Sequence, residues 1–123
     1  MSQDIVSDAL NQIMNAKRAR KKSVTVKKHS KLLRNVLEII KQAGYLDYSV
    51  EGNELKIEIK KLNEVRAIKP RYTASLDQLK NYTRRYLPAK NFGFVIISTN
   101  QGLITHYEAE EKNIGGCLIA YVF

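Results

Sequence analysis

A single cysteine, Cys117, is all the thiol chemistry in the 123 residues, so no internal disulfide can form and a reducing, cytoplasmic compartment is expected. Long apolar runs are also missing. The longest, such as Phe94 to Ile97 and Leu118 to Val122, fall far short of the roughly 20 residues that span a bilayer, which argues against a membrane partner. The opening residues Ser2, Gln3 and Asp4 lack the basic-then-apolar pattern of a secretory leader, so export is not expected. His29 and His106 are remote from each other in sequence, which leaves no ligand spacing for zinc; no metal and no cofactor are expected. No nucleophile, base and orienting acid group together. Glu108, Glu110 and Glu111 read as an exposed helix face, and Gly115-Gly116 lacks the strand-then-helix setting of a phosphate loop. Catalysis on a small-molecule substrate is therefore not expected.

What the chain has is apolar and basic. Hydrophobic residues make up 44% and charged residues 27%, enough for a packed core in one domain or two very small ones. Lys and Arg number 21 against 12 Asp and Glu, a net charge of +9. Such an excess attracts polyanions, either nucleic acid or anionic lipid, and is silent about fold.

Helical spacing places Ile5, Val6, Ala9, Leu10, Ile13 and Met14 on one face of a first helix. The stretch from Lys17 to Lys31 then holds eight Lys or Arg residues and no acid, with Val24 and Val26 alternating around Thr25 as a short strand. Ser30 sits where an N-cap belongs, ahead of an amphipathic helix from Leu32 to Ala43 that Gly44 can stop. Leu46, Tyr48 and Val50 alternate on one strand and Leu55, Ile57 and Ile59 on the next, with Glu51-Gly52-Asn53-Glu54 as the hairpin turn. Val65 to Lys69 adds a further short strand. The fold class read from this is α/β (α+β) in two small lobes. Residues 1–70 form an α-β-α-β-β-β lobe, residues 71–123 a mostly β lobe with short helices, and Pro70 is the junction. In the second lobe, Ser75 and Gln78 make a capping box for a helix reaching Tyr86 and ended by Pro88. Phe92 to Ile97 is β-prone, Ser98 to Gly102 has turn chemistry, Thr105 with Glu108 starts a short helix, and Leu118 to Val122 reads as a buried strand.

Charge divides unevenly across Pro70. Residues 1–70 carry 15 basic and 8 acidic side chains, residues 71–123 only 6 and 4. Long-range attraction thus belongs to the first lobe, where Lys17, Arg18, Arg20, Lys21, Lys22, Lys27, Lys28 and Lys31 are candidate phosphate contacts. A run of charge is more often just a solvated face; the complete lack of acids here favours binding. Ser98, Thr99, Asn100, Gln101 and Gly102 form the second candidate, because hydroxyls and amides can meet ribose 2′-hydroxyls and base edges. The bland alternative is an ordinary polar hairpin turn. Lys90-Asn91-Phe92-Gly93-Phe94-Val95 is similar to an RNA-recognition-motif signature, but Asn91 stands where Gly belongs and Ile97 where an aromatic belongs. Phe92 and Phe94 are therefore expected in the core.

Taken together, Lys69-Pro70-Arg71-Tyr72, Arg85-Tyr86-Leu87-Pro88-Ala89, and Phe92-Gly93 running into Ile97-Ser98-Thr99-Asn100-Gln101-Gly102 resemble the family of small-subunit ribosomal protein eight. The ending Gly115-Gly116-Cys117-Leu118-Ile119-Ala120-Tyr121-Val122-Phe123 is similar to its archaeal and eukaryotic branch. Asp8-Ala9-Leu10 through Asn15-Ala16, and Ser30-Lys31-Leu32-Leu33 through Gly44-Tyr45, carry the likeness through the first lobe. The resemblance implies a constituent of the small ribosomal subunit in the cytoplasm, bound to a central-domain helix of small-subunit ribosomal RNA and helping it assemble beside neighbouring ribosomal proteins. It implies that Ser98, Thr99 and Asn100 approach an irregular internal loop of that helix, with Gly115 and Gly116 nearby to allow close backbone approach. Arg71, Lys90 and Lys112 are further candidate RNA contacts. Asn100 departs from a motif that commonly reads Ser-Thr-Ser, Cys117 stands where this branch usually has a basic residue, and the hairpin between Val50 and Val65 is short. A free-standing RNA-binding translational regulator using the same surface is the alternative, and a nucleic-acid-modifying enzyme a more distant one.

Overall fold

A computed structural model describes residues 5–27, 29–68, 73–88 and 92–123. The chain divides into two compact units, Met1–Arg66 and Ala67–Phe123. The expected junction at Pro70 lies outside the described residues.

In the first unit, helix α1 (Ile5–Arg18) buries Val6, Ala9, Leu10, Ile13 and Met14, the stripe that the spacing predicts. Helix α2 (Lys31–Gln42) starts where the Ser30 hydroxyl accepts the Leu33 amide at 3.2 Å, and it buries Leu33, Val36, Leu37 and Ile40. Its end is a Schellman turn. The Gly44 amide donates to Lys41 and the Tyr45 amide to Ile40, with Gly44 at φ 87, a conformation that glycine adopts without steric cost. Three antiparallel strands, β1 (Ser23–Val26), β2 (Leu46–Glu51) and β3 (Glu54–Ile59), pair in the order β1-β3-β2. Val26, Leu46, Leu55 and Ile57 are buried with the helices. Each fully buried Leu or Ile contributes about 1.5–3 kcal/mol, so these two helical stripes account for most of the unit's apolar stabilisation. Strand β4 (Val65–Ala67) follows, and the Val65 amide donates to the Met14 sulfur at 3.3 Å.

The second unit continues with β5 (Thr73–Ala74), helix α3 (Leu76–Tyr86), strands β6 (Phe94–Thr99) and β7 (Gly102–Thr105), helix α4 (His106–Lys112) and strand β8 (Gly116–Val122). In its sheet β6 pairs with β7 on one side and β8 on the other, and β5 pairs with β8. The full capping box of Ser75 and Gln78 opens α3, and the Thr105 hydroxyl accepts the Glu108 amide at the start of α4. Asn113 closes α4 in the left-handed region at φ 56. Val95, Ile97, Ile104 and Leu118 from the sheet form one core with Leu79, Leu87 and Ala109. Among the described residues, no helix is long and apolar enough to cross a membrane.

Two expectations are corrected. The strand expected over Phe92 to Ile97 begins at Phe94 and runs through Ser98 and Thr99, because the register with β7 pairs Ser98 with Leu103 and Thr99 with Gly102. Phe94 is buried, but Phe92 is 45% exposed, lying beside the Phe123 ring at 6.0 Å. Gly93, at φ 83, turns the chain there; a Cβ on it would run into Val122 and Phe123. Thr73 and Ala74 form a two-residue strand paired with Cys117 and Gly116, which no period in the sequence signals.

Candidate nucleic-acid interface

The polar hairpin of the second unit is built from its own hydrogen bonds. The Thr99 hydroxyl donates to the Gly102 carbonyl at 2.9 Å and accepts the Gln101 amide at 3.1 Å. Its one proton is thereby committed to the turn, and only a lone pair remains for another partner. Gly102, at φ 104, occupies a conformation that disfavours any side chain. Asn100 and Gln101 at the tip are exposed, and Ser98 one step back is half-buried. Thr99 thus shapes the turn, Asn100 and Gln101 expose two amides at its tip, and the Ser98 hydroxyl lies half-buried behind them.

Pairing sets what surrounds them. Ser98 lies opposite Leu103 on one side and Cys117 on the other, and Cys117 lies opposite Thr73. Direct antiparallel partners share a face, so Thr73, Cys117 and Ser98 form one polar row across the sheet. Gly116 makes this close approach possible. A Cβ there would lie 2.5 Å from the Ser98 carbonyl oxygen and 2.9 Å from Thr99 Cγ2. At Gly115 a Cβ would run into the Ala74 carbonyl and come within 3.0 Å of the Ser75 Cα. The close backbone approach at these glycines is therefore to β6 and to the β5–α3 junction of the same chain. Gly116 thus backs the strand that leads into the hairpin, and Gly115 the β5–α3 junction. Lys112 is exposed in the last turn of α4.

The basic run of the first unit straddles the end of α1 and strand β1. Arg18, Arg20, Lys21, Lys22 and Lys27 are exposed, Lys17 is half-buried, and Lys31 is exposed at the start of α2. No ion pair engages these side chains among the described residues. The turn out of α1 has the same hydrogen bonds as the turn out of α2, with Arg20 donating to Lys17 at 3.0 Å and Lys21 to Ala16 at 2.9 Å. Here the left-handed position, φ 62, holds Arg20 instead of glycine. The acids of this unit are concentrated on the sheet, where Asp47 faces Glu58 and Glu51 faces Glu54 across paired strands. Arg71, Lys90 and Lys28 lie outside the described residues.

Sequence reading gave no role to His106, which is 5% exposed and accepts the Val95 amide on Nδ1 at 3.0 Å. Burial pushes its pKa below the usual value, against an opposing influence of Glu110, so the ring is held neutral. Nothing in a lone histidine ahead of a charged helix signals that role. Among the described residues, no group of His, Cys, Asp and Glu is arranged to hold a metal ion.

Residues 4–123 match the family model described as Ribosomal protein S8. The chain is 43% identical to the small ribosomal subunit protein uS8 of Nanoarchaeum equitans over 129 aligned positions covering all of both chains. It is 39% identical to the protein of that name from Halorubrum lacusprofundi, over 98% of this chain and 97% of the relative. The uS8 protein of Archaeoglobus fulgidus is 36% identical, again over the whole of both chains.

Proposed function

The chain belongs to the ribosomal protein S8 family of the small ribosomal subunit, and from that membership we propose that it binds a central-domain helix of small-subunit ribosomal RNA directly and aids its assembly. The relatives are ribosomal proteins and not enzymes. In this reading the chain works in the cytoplasm as a structural constituent of the small subunit, beside neighbouring ribosomal proteins.

One observation carries the reading: a hairpin tip whose Thr99 hydroxyl is spent on the turn while Asn100 and Gln101 stay exposed and Ser98 lies half-buried beside them. Such groups suit the ribose hydroxyls and base edges of an irregular RNA loop, which a regular duplex hides. The exposed cations from Arg18 to Lys27 supply sequence-independent attraction to the adjoining phosphates. Hydrogen-bonding groups that specify and cations that position are the two components an RNA-binding surface needs.

Fractionation of cell extract on a sucrose gradient in high salt tests this. A subunit constituent co-sediments with small subunits after the salt wash. Recovery only at the top of the gradient would instead indicate a free-standing RNA-binding regulator.

A further inference from the structure

Arg20 occupies a backbone position that suits it poorly. It follows α1 at φ 62, closing the helix through the Arg20–Lys17 and Lys21–Ala16 bonds. Glycine is the usual residue there, because a Cβ in the left-handed region crowds the backbone. The other described non-glycine residue at positive φ is Asn113, and asparagine tolerates that region through its short polar side chain. Arginine has no such compensation. The helix dipole does not explain it either, since Lys17 and Arg18 already place cations in the last turn.

The surroundings supply a reason. Ala19 and Lys21, the residues on either side of Arg20, line an open groove of about 410 Å³ between α1 and β1. Gln12, Asn15, Ser23 and Thr25 complete its polar wall, and no carboxylate lines it. Those four side chains are exposed, and they carry the amides and hydroxyls that pair with ribose. Resting on the RNA-binding reading above, we infer that this groove takes a ribose–phosphate segment of RNA. Arg20 is held in the left-handed conformation, at the expense of stability, so that its guanidinium clamps the phosphate at the groove's rim. Two parallel N–H donors match two phosphate oxygens, a geometry that lysine lacks.

The test uses the full chain with Arg20→Gly and Arg20→Ala, a small-subunit ribosomal RNA helix carrying an internal loop, and thermal unfolding in parallel. Arg20→Gly is expected to melt higher by roughly 2–4 °C, since it relieves the left-handed strain. It should bind the RNA about tenfold more weakly and lower the salt slope by about one. Arg20→Ala should lose the same affinity without the gain in melting temperature. Asn15→Ala combined with Ser23→Ala should weaken binding with the slope unchanged. Wild-type affinity in Arg20→Gly would overturn the inference, and so would a lower melting temperature in that variant. Failure of the wild-type chain to bind the RNA would instead overturn the reading on which the inference rests, so the two failures are distinguishable.

Discussion

Gly116 lies so close to Ser98 that a Cβ on the glycine would sit 2.5 Å from the serine carbonyl oxygen. The start of β8 and the end of β6 are packed backbone to backbone, and the hairpin that follows Ser98 inherits its position from that contact. Gly116→Ala is therefore expected to destabilise the fold by about 1–3 kcal/mol, as the strand must shift to admit one methyl group. Urea unfolding would measure the loss. The same variant should bind cognate RNA less selectively.

Ser98 and Thr99 are adjacent but do different work. Thr99→Ala removes both hydrogen bonds that close the turn, at a cost of about 1 kcal/mol per bond, and should lower stability together with RNA discrimination. Ser98→Ala breaks neither of these turn bonds and should lower discrimination alone. Equal unfolding midpoints for the two variants would contradict this division of labour.

Positioning and readout should also separate between the two units. Replacing Lys21 and Lys22 with Ala is expected to weaken binding to every RNA and to flatten the salt slope by about two. Replacing Ser98 should leave that slope nearly unchanged, because no phosphate charge is neutralised there. Filter binding from low to high salt distinguishes these outcomes.

His106 gives the fold a pH dependence with a definite sign. Its folded pKa is depressed by burial, and its Nδ1 accepts the Val95 amide. Its contribution is complete above the unfolded value, about 6.5, and is lost as pH falls below that value because the unfolded chain takes up the proton first. The stability of the second unit should fall as pH drops below about 6.5, at up to about 1.4 kcal/mol per pH unit. A glutamine at position 106 should flatten that dependence, read as the urea midpoint against pH.

Local signals were legible in the sequence wherever a local cause produced them. The α1 and α2 stripes, the Ser30 and Ser75 caps and the Gly44 stop each depend on residues within a few positions of one another. The candidate site was legible as chemistry, in the polar string from Ser98 to Gly102, but not as geometry. Only the pairing of β6 with β7 and β8 reveals that Ser98 and Thr99 are strand residues and that Thr99 holds the turn. Phe92 misled because its apolar character predicts burial, whereas the turn at Gly93 places it outside the core. Thr73 and Ala74 look like linker because two residues show no period, and their strand exists only through β8. The left-handed backbone at Arg20 leaves no trace in residue type at all.

The most direct test of the account is the affinity of the chain for a short small-subunit ribosomal RNA helix with an irregular internal loop, beside a fully paired control, across a salt series. The account expects a clear preference for the looped helix that persists at high salt, since hydrogen bonds and shape outlast screening. Equal affinities that vanish together as salt rises would contradict it, leaving a basic chain that attracts RNA without reading it.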